Sequence, residues 1–467
     1  MSPARLRVSF LLLVTLATLF HLVFGGVVWQ AVGIGALLLY LTTLGAQLTR
    51  MAKGLLLAAG VLTLLALWRA SNPGQLLFEA SGRFAFFATF VVALSMLRLP
   101  AYRSRLVRRC GQSMLLQPPS RRYPILSLGS ALFGIILNIG VLNLFAAMIE
   151  KSNTLGAAQG RVWVREARQR RMMLALLRGF SLAPLISPMG IGVAVVLSSL
   201  HQVTWLELAP YILGAAVLIF LAGWAVDFLT GPHPPGNKTQ ASKTHLAAPS
   251  LRPLGQFSVL LLGIVALVFS IAWLLELRLP IAALIGAPTG ALVWLAWQRR
   301  RLGYAGLPAA VSTVHRQLPW LLSPSANEIV VLGAAGYLGH LCVGLVDTQQ
   351  LAPLLTVLNQ WGAFNAVLAM LMVVGLAQIG VNPIVTVTLL VGLLPQLGIE
   401  GLSPALIGAS LMVGWALALM SSPMTASMLI LSRFTGVPAT RIGYRWNGRF
   451  LVASIPLLAA WFMWSPF

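Results

Sequence analysis

Two short Ser-Pro-Met segments interrupt apolar stretches of the chain and carry residue types suited to a binding site inside a membrane. One lies within Ser421 to Thr425, in the apolar stretch 404–433, and the other begins at Ser187, in the stretch 172–200. Proline has no backbone N–H, and unpaired backbone groups are tolerated at membrane depth only where they contact protein or line a water-filled cavity. Both segments are therefore predicted to be unwound parts of broken helices.

A second pair of motifs precedes these breaks at similar distances along the chain. The first Ile-Gly-Val motif begins at Ile139, with Asn143 close behind it, and the second begins at Ile379, with Asn382 directly after it. Each motif interrupts an apolar stretch. We predict that each forms the tip of a re-entrant hairpin, because non-helical backbone at depth must be buried in protein.

These four interruptions can bind a solute without an ionised side chain. The first turn of a half-helix has unpaired N–H groups and a partial positive charge, which suit an anion, and unwound carbonyl groups suit a cation. Asparagine amides and serine hydroxyls add further donors. The predicted substrate-binding residues are Asn138, Asn143, Ser187, Pro188, Asn382, Pro383, Ser421, Ser422, Pro423 and Thr425.

Structural explanations stand beside this functional one. The prolines could kink helices that nearby serine hydroxyls repair, and Asn143 could hydrogen-bond a neighbouring helix. Thr386 and Ser427 lie one turn beyond their breaks and are secondary candidates.

Few ionisable residues lie inside the apolar stretches. Glu79 and Arg83 are four residues apart and are predicted to pair along one helix face. Arg178 is expected to extend towards the inner surface, with a substrate contact as the alternative. No catalytic motif or paired acidic motif occurs, and the two cysteines show no metal-ligand spacing, so the sequence argues against an enzyme and predicts no resident cofactor.

Composition identifies the class of protein. The chain has 467 residues, of which 58% are hydrophobic and 9% charged, and its mean hydropathy is +0.87. These values predict an all-α polytopic membrane protein. The net charge of +23 comes from basic residues between apolar stretches, so we attribute it to membrane orientation and anionic lipids and expect no nucleic-acid partner.

The apolar stretches predict two similar halves, 1–229 and 255–467, joined by a polar cytoplasmic linker at 230–254. Each half contains scaffold helices, then a re-entrant hairpin, at 125–148 or 363–396, and then a broken helix, at 172–200 or 404–433. The layout gives about eleven transmembrane helices plus the two hairpins. The predicted crossings outside the broken helices lie near 8–24, 27–47, 54–70, 76–97, 209–229, 257–276, 280–298, 326–346 and 450–465.

Basic residues predict the orientation. With a cytoplasmic N-terminus, nearly all basic clusters fall on the inner side, including a basic loop at 98–124, which fits a multi-pass protein of a bacterial-type inner membrane. The first hairpin then enters from inside and the second from outside. The two halves are therefore predicted to be inverted repeats, as in many secondary transporters.

An Asn-bearing hairpin tip, then a Ser-Pro break, then one more crossing, all repeated, resembles the ion transporter superfamily. The layout is most similar to the divalent anion:sodium symporters, with arsenite and sodium/proton antiporters as relatives. Their hairpin tips carry Ser-Asn-Thr, whereas this chain has Asn382 to Thr386 without the leading serine and a poorer match near Asn138. The resemblance implies an elevator mechanism, Na⁺ near Asn138, Ser187, Asn382 and Ser422, and a homodimer.

The sequence thus predicts a secondary active transporter of a small anion, either a carboxylate or dicarboxylate or an inorganic anion, driven by a Na⁺ or H⁺ gradient. A cation or metalloid antiporter of the same superfamily is the alternative. A membrane-embedded enzyme is the competing class.

Overall fold

The computed structural model describes residues 3–231, 250–346 and 352–464. These residues form α-helices joined by short turns, with no strand among them. Most of the predicted linker 230–254 lies outside the described residues.

The helices of the first half are α1 (Pro3–Phe24), α2 (Val27–Thr42), α3 (Arg50–Arg69), α4 (Pro73–Arg103), α5 (Arg105–Leu115), α6 (Pro119–Leu137), α7 (Gly140–Ser152), α8 (Val162–Ile186), α9 (Ile191–Ser199) and α10 (Trp205–Thr230). Those of the second half are α11 (Arg252–Leu274), α12 (Leu279–Gln298), α13 (Gly306–Leu322), α14 (Ala326–Leu345), α15 (Ala352–Asn359), α16 (Phe364–Gln378), α17 (Pro383–Leu393), α18 (Pro404–Ser421), α19 (Ala426–Thr435) and α20 (Gly448–Trp464).

The fold class predicted from the sequence is confirmed. Among the described residues, nine helical segments are long and apolar enough to cross a membrane, and the two broken helices are among them. Two shorter apolar helices, Val27–Thr42 and Gly448–Trp464, fall at the other two predicted crossings. The chain is a multi-pass membrane protein.

Both predicted hairpins are helix pairs with a break at the predicted tip. Helices α6 and α7 pack against each other and are separated at Asn138, whose φ of 50° is unusual for a residue with a side chain. Helices α16 and α17 also pack together, and Gly380 turns the chain between them with a φ of 96°. Glycine adopts that conformation without steric strain.

Both Ser-Pro-Met segments break their helices as predicted. The backbone N–H of Ser187 donates to Ala183 and that of Ser422 donates to Ala418, each at the end of its helix. Neither Pro188 nor Pro423 has an N–H to continue the pattern, and the next helix of each pair starts only at Ile191 or Ala426.

The two hairpins and the two broken helices form one interlocked bundle. Hairpin α6–α7 packs on α8, and hairpin α16–α17 packs on α18. The second arm of each hairpin also contacts the second half of the other broken helix, so that α7 contacts α19 and α17 contacts α9. Helices α8 and α18 pack against each other as well. The same set of contacts thus occurs twice with the halves exchanged.

A glycine in each broken helix allows the backbone of the hairpin to approach closely. A Cβ atom at Gly179 of α8 would collide with the carbonyl oxygen of Ser127 on α6. A Cβ atom at Gly414 of α18 would lie 2.6 Å from the carbonyl oxygen of Met370 on α16. Each glycine precedes the serine of its Ser-Pro-Met segment, Ser187 or Ser422, by the same number of residues.

Three regions differ from the sequence predictions. The predicted basic loop 98–124 is largely helical, because α4 continues through Pro100 to Arg103 and α5 follows. Helix α5 is amphipathic: it buries Cys110 and Met114 and contacts α11. Helices α13 and α15 were not predicted.

We expect Gly179→Ala and Gly414→Ala each to destabilise the protein by about 1–3 kcal/mol, because the added methyl group meets main-chain atoms that cannot move aside. Thermal unfolding of the purified protein measures the effect. Gly375→Ala is the matched control, since a Cβ atom there has no neighbour within 4 Å and alanine favours helix by up to about 1 kcal/mol. Equal unfolding temperatures for all three variants would contradict the close approach.

Candidate functional site

The second break is held against the tip of the second hairpin by serine hydroxyls. Ser422 Oγ donates to the carbonyl oxygen of Ala377 at 2.6 Å, and Gln378 Nε2 donates to Ser421 Oγ at 3.1 Å. Tyr444 OH, from the turn before α20, donates to Gln378 Oε1 at 3.2 Å. The structure therefore brings Ser421 and Ser422 together with the hairpin, as the sequence predicted.

Hydroxyls within the second break also pair its own backbone. Thr425 Oγ1 donates to the carbonyl oxygen of Ser422 at 2.8 Å, and Ser427 Oγ donates to that of Leu419 at 2.8 Å. Pro423 is buried between them, whereas the side chain of Met424 is 62% exposed. The loop is thus packed on one side and open on the other.

Asn382 and Pro383 begin the second arm of the second hairpin. Asn382 Oδ1 accepts a hydrogen bond from the backbone N–H of Ile384 at 2.8 Å, which caps the N-terminus of α17. Asn382 Nδ2 lies 3.7 Å from Met51 Sδ on α3, and Pro383 is buried. The asparagine therefore links the hairpin tip to a helix predicted to belong to the scaffold.

The tip of the first hairpin is also tied to the predicted scaffold. Asn138 Nδ2 donates to Glu328 Oε1 on α14 at 2.6 Å, and Glu328 Oε2 pairs with Arg98 Nη2 on α4 at 2.9 Å. Asn138 thus contacts α14 through a carboxylate from the other half of the chain.

Asn143 faces the second broken helix. Its Oδ1 accepts a hydrogen bond from Arg433 Nη2 on α19 at 2.9 Å. It also lines an open groove of about 420 Å³ beside Tyr102 and Lys151. The Asn143 side chain thus hydrogen-bonds a neighbouring helix, as the structural alternative predicted. It does so at the edge of a groove that is lined by the positively charged Lys151.

The first break contains a buried hydroxyl that has no partner. Ser187 is 1% exposed, and its Oγ makes no hydrogen bond within the described part of the chain. Pro188 beside it is buried. Thr386, one turn past Asn382, is 2% exposed, and its Oγ1 likewise makes no hydrogen bond within the described residues. Leaving a buried polar group unpaired costs about 1–3 kcal/mol, so each hydroxyl is available to a bound solute, ion or water molecule.

The N-termini that follow the breaks leave donors available. No side chain caps α9 at Gly190 or α19 at Thr425, and none caps α7 at Ile139. The first-turn N–H groups of a helix carry partial positive charge, and an anion stabilises them. Ser187 lies three residues before Gly190, the N-cap residue of α9.

Arg178 is buried, so the prediction that it extends to the surface is wrong. Its Nε donates to Asn447 Oδ1 at 2.9 Å and its Nη1 to the carbonyl oxygen of Gly223 at 3.1 Å. The ring of Phe450 lies 4.4 Å from the guanidinium carbon. Asn447 Nδ2 donates in turn to Met420 at 2.6 Å, directly before the second break. The cation is stabilised by an amide oxygen, a carbonyl oxygen and an aromatic face.

The predicted Glu79–Arg83 ion pair is also wrong. Glu79 Oε2 pairs with His340 Nε2 at 3.2 Å, and Arg83 donates to the carbonyl oxygen of Ser198 at the end of α9. Glu79 and Arg83 line a cavity of about 320 Å³ together with His201. Burial lowers the pKa of His201 from its usual value, and the charges of Arg83 and Arg278 lower it further.

The sequence analysis missed three site residues. Gln378 connects the hairpin to Ser421, while Asn447 and Arg433 connect other elements to the breaks. Gln378 had a usable signal, since it is an amide at the end of an apolar helix. The partners of Asn447 and Arg433 are distant in the sequence, so the sequence contained no signal for these two residues. Within the described residues, no three His, Cys, Asp or Glu side chains are grouped to hold a metal ion.

No protein-family model and no curated protein sequence matches the chain. Solved structures do match it. The YdaH transporter of Alcanivorax borkumensis is similar with a TM-score of 0.56 and 15% identity, over 89% of this chain and 99% of that one. MtrF of Neisseria gonorrhoeae, from a class of antimetabolite efflux pumps, is similar with a TM-score of 0.54 and 12% identity, over 90% of this chain and 96% of that one. The divalent anion:sodium symporter resemblance stays a prediction, and the chain shares the fold of two membrane transporters.

Proposed function

We propose that the protein is a secondary active transporter of a small anion, a carboxylate, dicarboxylate or inorganic anion, coupled to a Na⁺ or H⁺ gradient. The observation that carries this proposal is the first break, where the buried Ser187 hydroxyl, which has no hydrogen-bond partner among the described residues, lies three residues before Gly190, the uncapped N-terminus of α9. A hydroxyl donor and oriented N–H groups bind a carboxylate or similar oxyanion without a fixed counter-charge. The shared fold of the two transporters supports the same class of function.

Charge around the breaks favours an anion over a cation as the transported solute. Arg178 lies behind the second break, and Arg433 and Lys151 lie beside Asn143 and its groove. Buried carboxylates are scarce, and Glu328 and Asp227 are each paired with an arginine. Positive charge at the predicted cytoplasmic end would attract an anion towards the protein.

A coupling Na⁺ ion would use oxygen ligands at the breaks. Among the oxygens expected to bind it, Ser187 Oγ has no partner in the part of the chain that the structure describes, whereas Asn382 Oδ1 and Ser422 Oγ are already hydrogen-bonded. Ser187 and the hydroxyl of Thr386 are therefore the preferred positions. The likeness to MtrF, from a class of antimetabolite efflux pumps, favours export as the second candidate function.

An elevator mechanism suits the two kinds of contact seen in the bundle. The hairpins and broken helices pack on each other through backbone contacts at Gly179 and Gly414. Their contacts with the predicted scaffold include polar interactions, such as Asn138 with Glu328 and Arg278 with the carbonyl of Leu200, and the packing of α17 on α14. We propose that the first set moves as a unit against the scaffold, within an inner membrane and with the N-terminus cytoplasmic, and that two scaffolds pair in a homodimer.

Uptake into proteoliposomes tests the function. We expect a labelled dicarboxylate or inorganic anion to accumulate when an inward Na⁺ or H⁺ gradient is imposed, and not when the gradient is collapsed by an ionophore. Gradients imposed separately identify the coupling ion. Absence of any anion flux in either direction under both gradients would overturn the proposal, and turnover of a substrate by the solubilised protein would favour an enzyme.

The free hydroxyls make a second prediction. Ser187→Ala and Thr386→Val should each raise the substrate concentration for half-maximal uptake about tenfold, which corresponds to one hydrogen bond. Because neither hydroxyl has a protein partner, we expect the unfolding temperature to stay the same or rise. Ser181→Ala and Ser410→Ala are matched controls, since these buried hydroxyls bond the carbonyls of Leu177 and Ile407 in their own helices. Uptake unchanged in Ser187→Ala would remove this site.

Movement against the scaffold can be tested at the contact between α14 and α17. A Cβ atom at Gly392 would lie 2.9 Å from Val343 Cγ2, so cysteines at both positions are within disulfide reach. In a protein with Cys110 and Cys342 replaced by serine, we expect oxidation of Val343→Cys/Gly392→Cys to stop uptake and reduction to restore it. Each single cysteine variant should be unaffected by oxidant. A cross-linked protein with undiminished uptake would argue against the elevator.

A further inference from the structure

A further pocket, remote from the breaks, is lined by three arginines and one carboxylate. It lies between the start of α6, the start of α8 and the end of α10, with a volume of about 250 Å³. Arg122, Arg168 and Arg171 line it with Asp227, and Tyr123 and Trp163 contribute aromatic surface. Arg171 is sixteen residues before Ser187 in α8, which places the two about 24 Å apart along the helix axis. The pocket is therefore separate from the proposed substrate site.

The single carboxylate is already neutralised. Asp227 accepts hydrogen bonds from Arg171 Nε at 3.0 Å and from Arg171 Nη2 at 2.6 Å, a two-point ion pair. Within the described residues, Arg122 and Arg168 have no carboxylate partner. Arg122 donates to the carbonyl oxygen of Gln117 at 2.9 Å and Arg168 to that of Ala157 at 3.3 Å. Two positive charges thus remain uncompensated in a partly buried pocket.

This concentration of charge is unfavourable without a bound anion. Arg122 precedes the predicted hairpin 125–148, and burial lowers its pKa to about 10, with the charges of Arg168 and Arg171 adding to the effect. An anion between the guanidinium groups would remove this repulsion. Phosphate oxygens match the guanidinium fork in geometry and carry the charge required.

The surroundings favour a phosphate that belongs to a lipid. Trp163 is 47% exposed at the rim, and Phe228 and Leu229 of α10, next to Asp227, are 76% and 74% exposed. Exposed apolar and tryptophan side chains beside a basic pocket are typical of a protein surface at the membrane interface. The pocket also lies on the predicted cytoplasmic side, where anionic lipids are found.

We propose that this pocket binds a phosphate group, supplied by the headgroup of an anionic phospholipid, through Arg122 and Arg168. Arg171 is held by Asp227 and supports the wall of the site. Bound there, the lipid bridges the first arm of the first hairpin to α8 and α10. A soluble phosphate has the same chemistry and is the other source that the experiment must separate.

Lipid binding by the purified full-length protein tests the proposal. We expect native mass spectrometry to show retention of phosphatidylglycerol over phosphatidylcholine in the wild-type protein. Each arginine near a membrane surface contributes about 1 kcal/mol to anionic lipid binding, so Arg168→Gln should weaken it about fivefold and Arg122→Gln/Arg168→Gln about 25-fold. Arg168→Lys, which keeps the charge, should retain most of the binding.

Arg108→Gln/Arg109→Gln is the matched control. It removes the same charge from exposed positions on α5, on the same predicted side of the membrane. We expect it to bind phosphatidylglycerol like the wild type. Equal binding by Arg168→Gln and the wild type, or an equal loss in the control, would overturn the proposal. Arg168→Gln alone decides the result if the double variant does not fold, because Arg168 makes a single long hydrogen bond to an exposed carbonyl.

Inorganic phosphate separates the two sources. If the lipid is the natural ligand, millimolar phosphate should compete only weakly with phosphatidylglycerol and should raise the unfolding temperature less than the lipid does. The other outcome is that phosphate alone raises the unfolding temperature of the wild type as much as phosphate with lipid does, and does not raise that of Arg168→Gln. That result would support the phosphate site but overturn its assignment to a phospholipid.

Discussion

The structure depends on one constraint, that hydrocarbon offers no hydrogen-bond partner to an unwound backbone. A break at Ser187 or Ser422 can exist only where it contacts protein or lines a water-filled cavity, and the hairpins provide protein contacts for both breaks. At the second break, Ala377 accepts from Ser422, and Thr425 and Ser427 pair neighbouring carbonyls. The hairpins must therefore reach the level of the breaks. The contact of each hairpin with a broken helix follows from this need.

The same constraint governs the charged residues. Arg98 and Arg171 each pair with a carboxylate, from Glu328 and Asp227. Arg178 has an amide, a carbonyl and an aromatic ring instead. Dipoles stabilise a cation without cancelling its charge, whereas an ion pair cancels it. The positive field of Arg178 therefore extends beyond its immediate partners.

The helices and breaks that are determined by residues close together in the sequence could be predicted from it. Helix positions follow from apolar length, and the breaks at Pro188 and Pro423 follow from the missing N–H. The helical course of 98–124 was missed because its charged residues resemble a loop, although the period of α5 buries Cys110 and Met114. These buried positions recur at the helical period, which is the signal for α5 in the sequence.

Partners that are distant in sequence could not be predicted from a single chain. Asn138 bonds Glu328, Arg178 bonds Asn447, and Asn143 bonds Arg433, each across the two halves. Burial of Thr386 without a partner is likewise a property of packing rather than of sequence pattern. The structure places Ser187 and Ser422 at helix breaks, as the sequence predicted, and their role in binding stays a prediction.

The glycine contacts at Gly179 and Gly414 also determine how the molecule can deform. Where two helices meet backbone to backbone, no layer of side chains lies between them that could change rotamer and let one helix slide. Two helices that meet in this way are expected to move together as a rigid unit. Deformation of the bundle is then confined to helix contacts that have side chains between them.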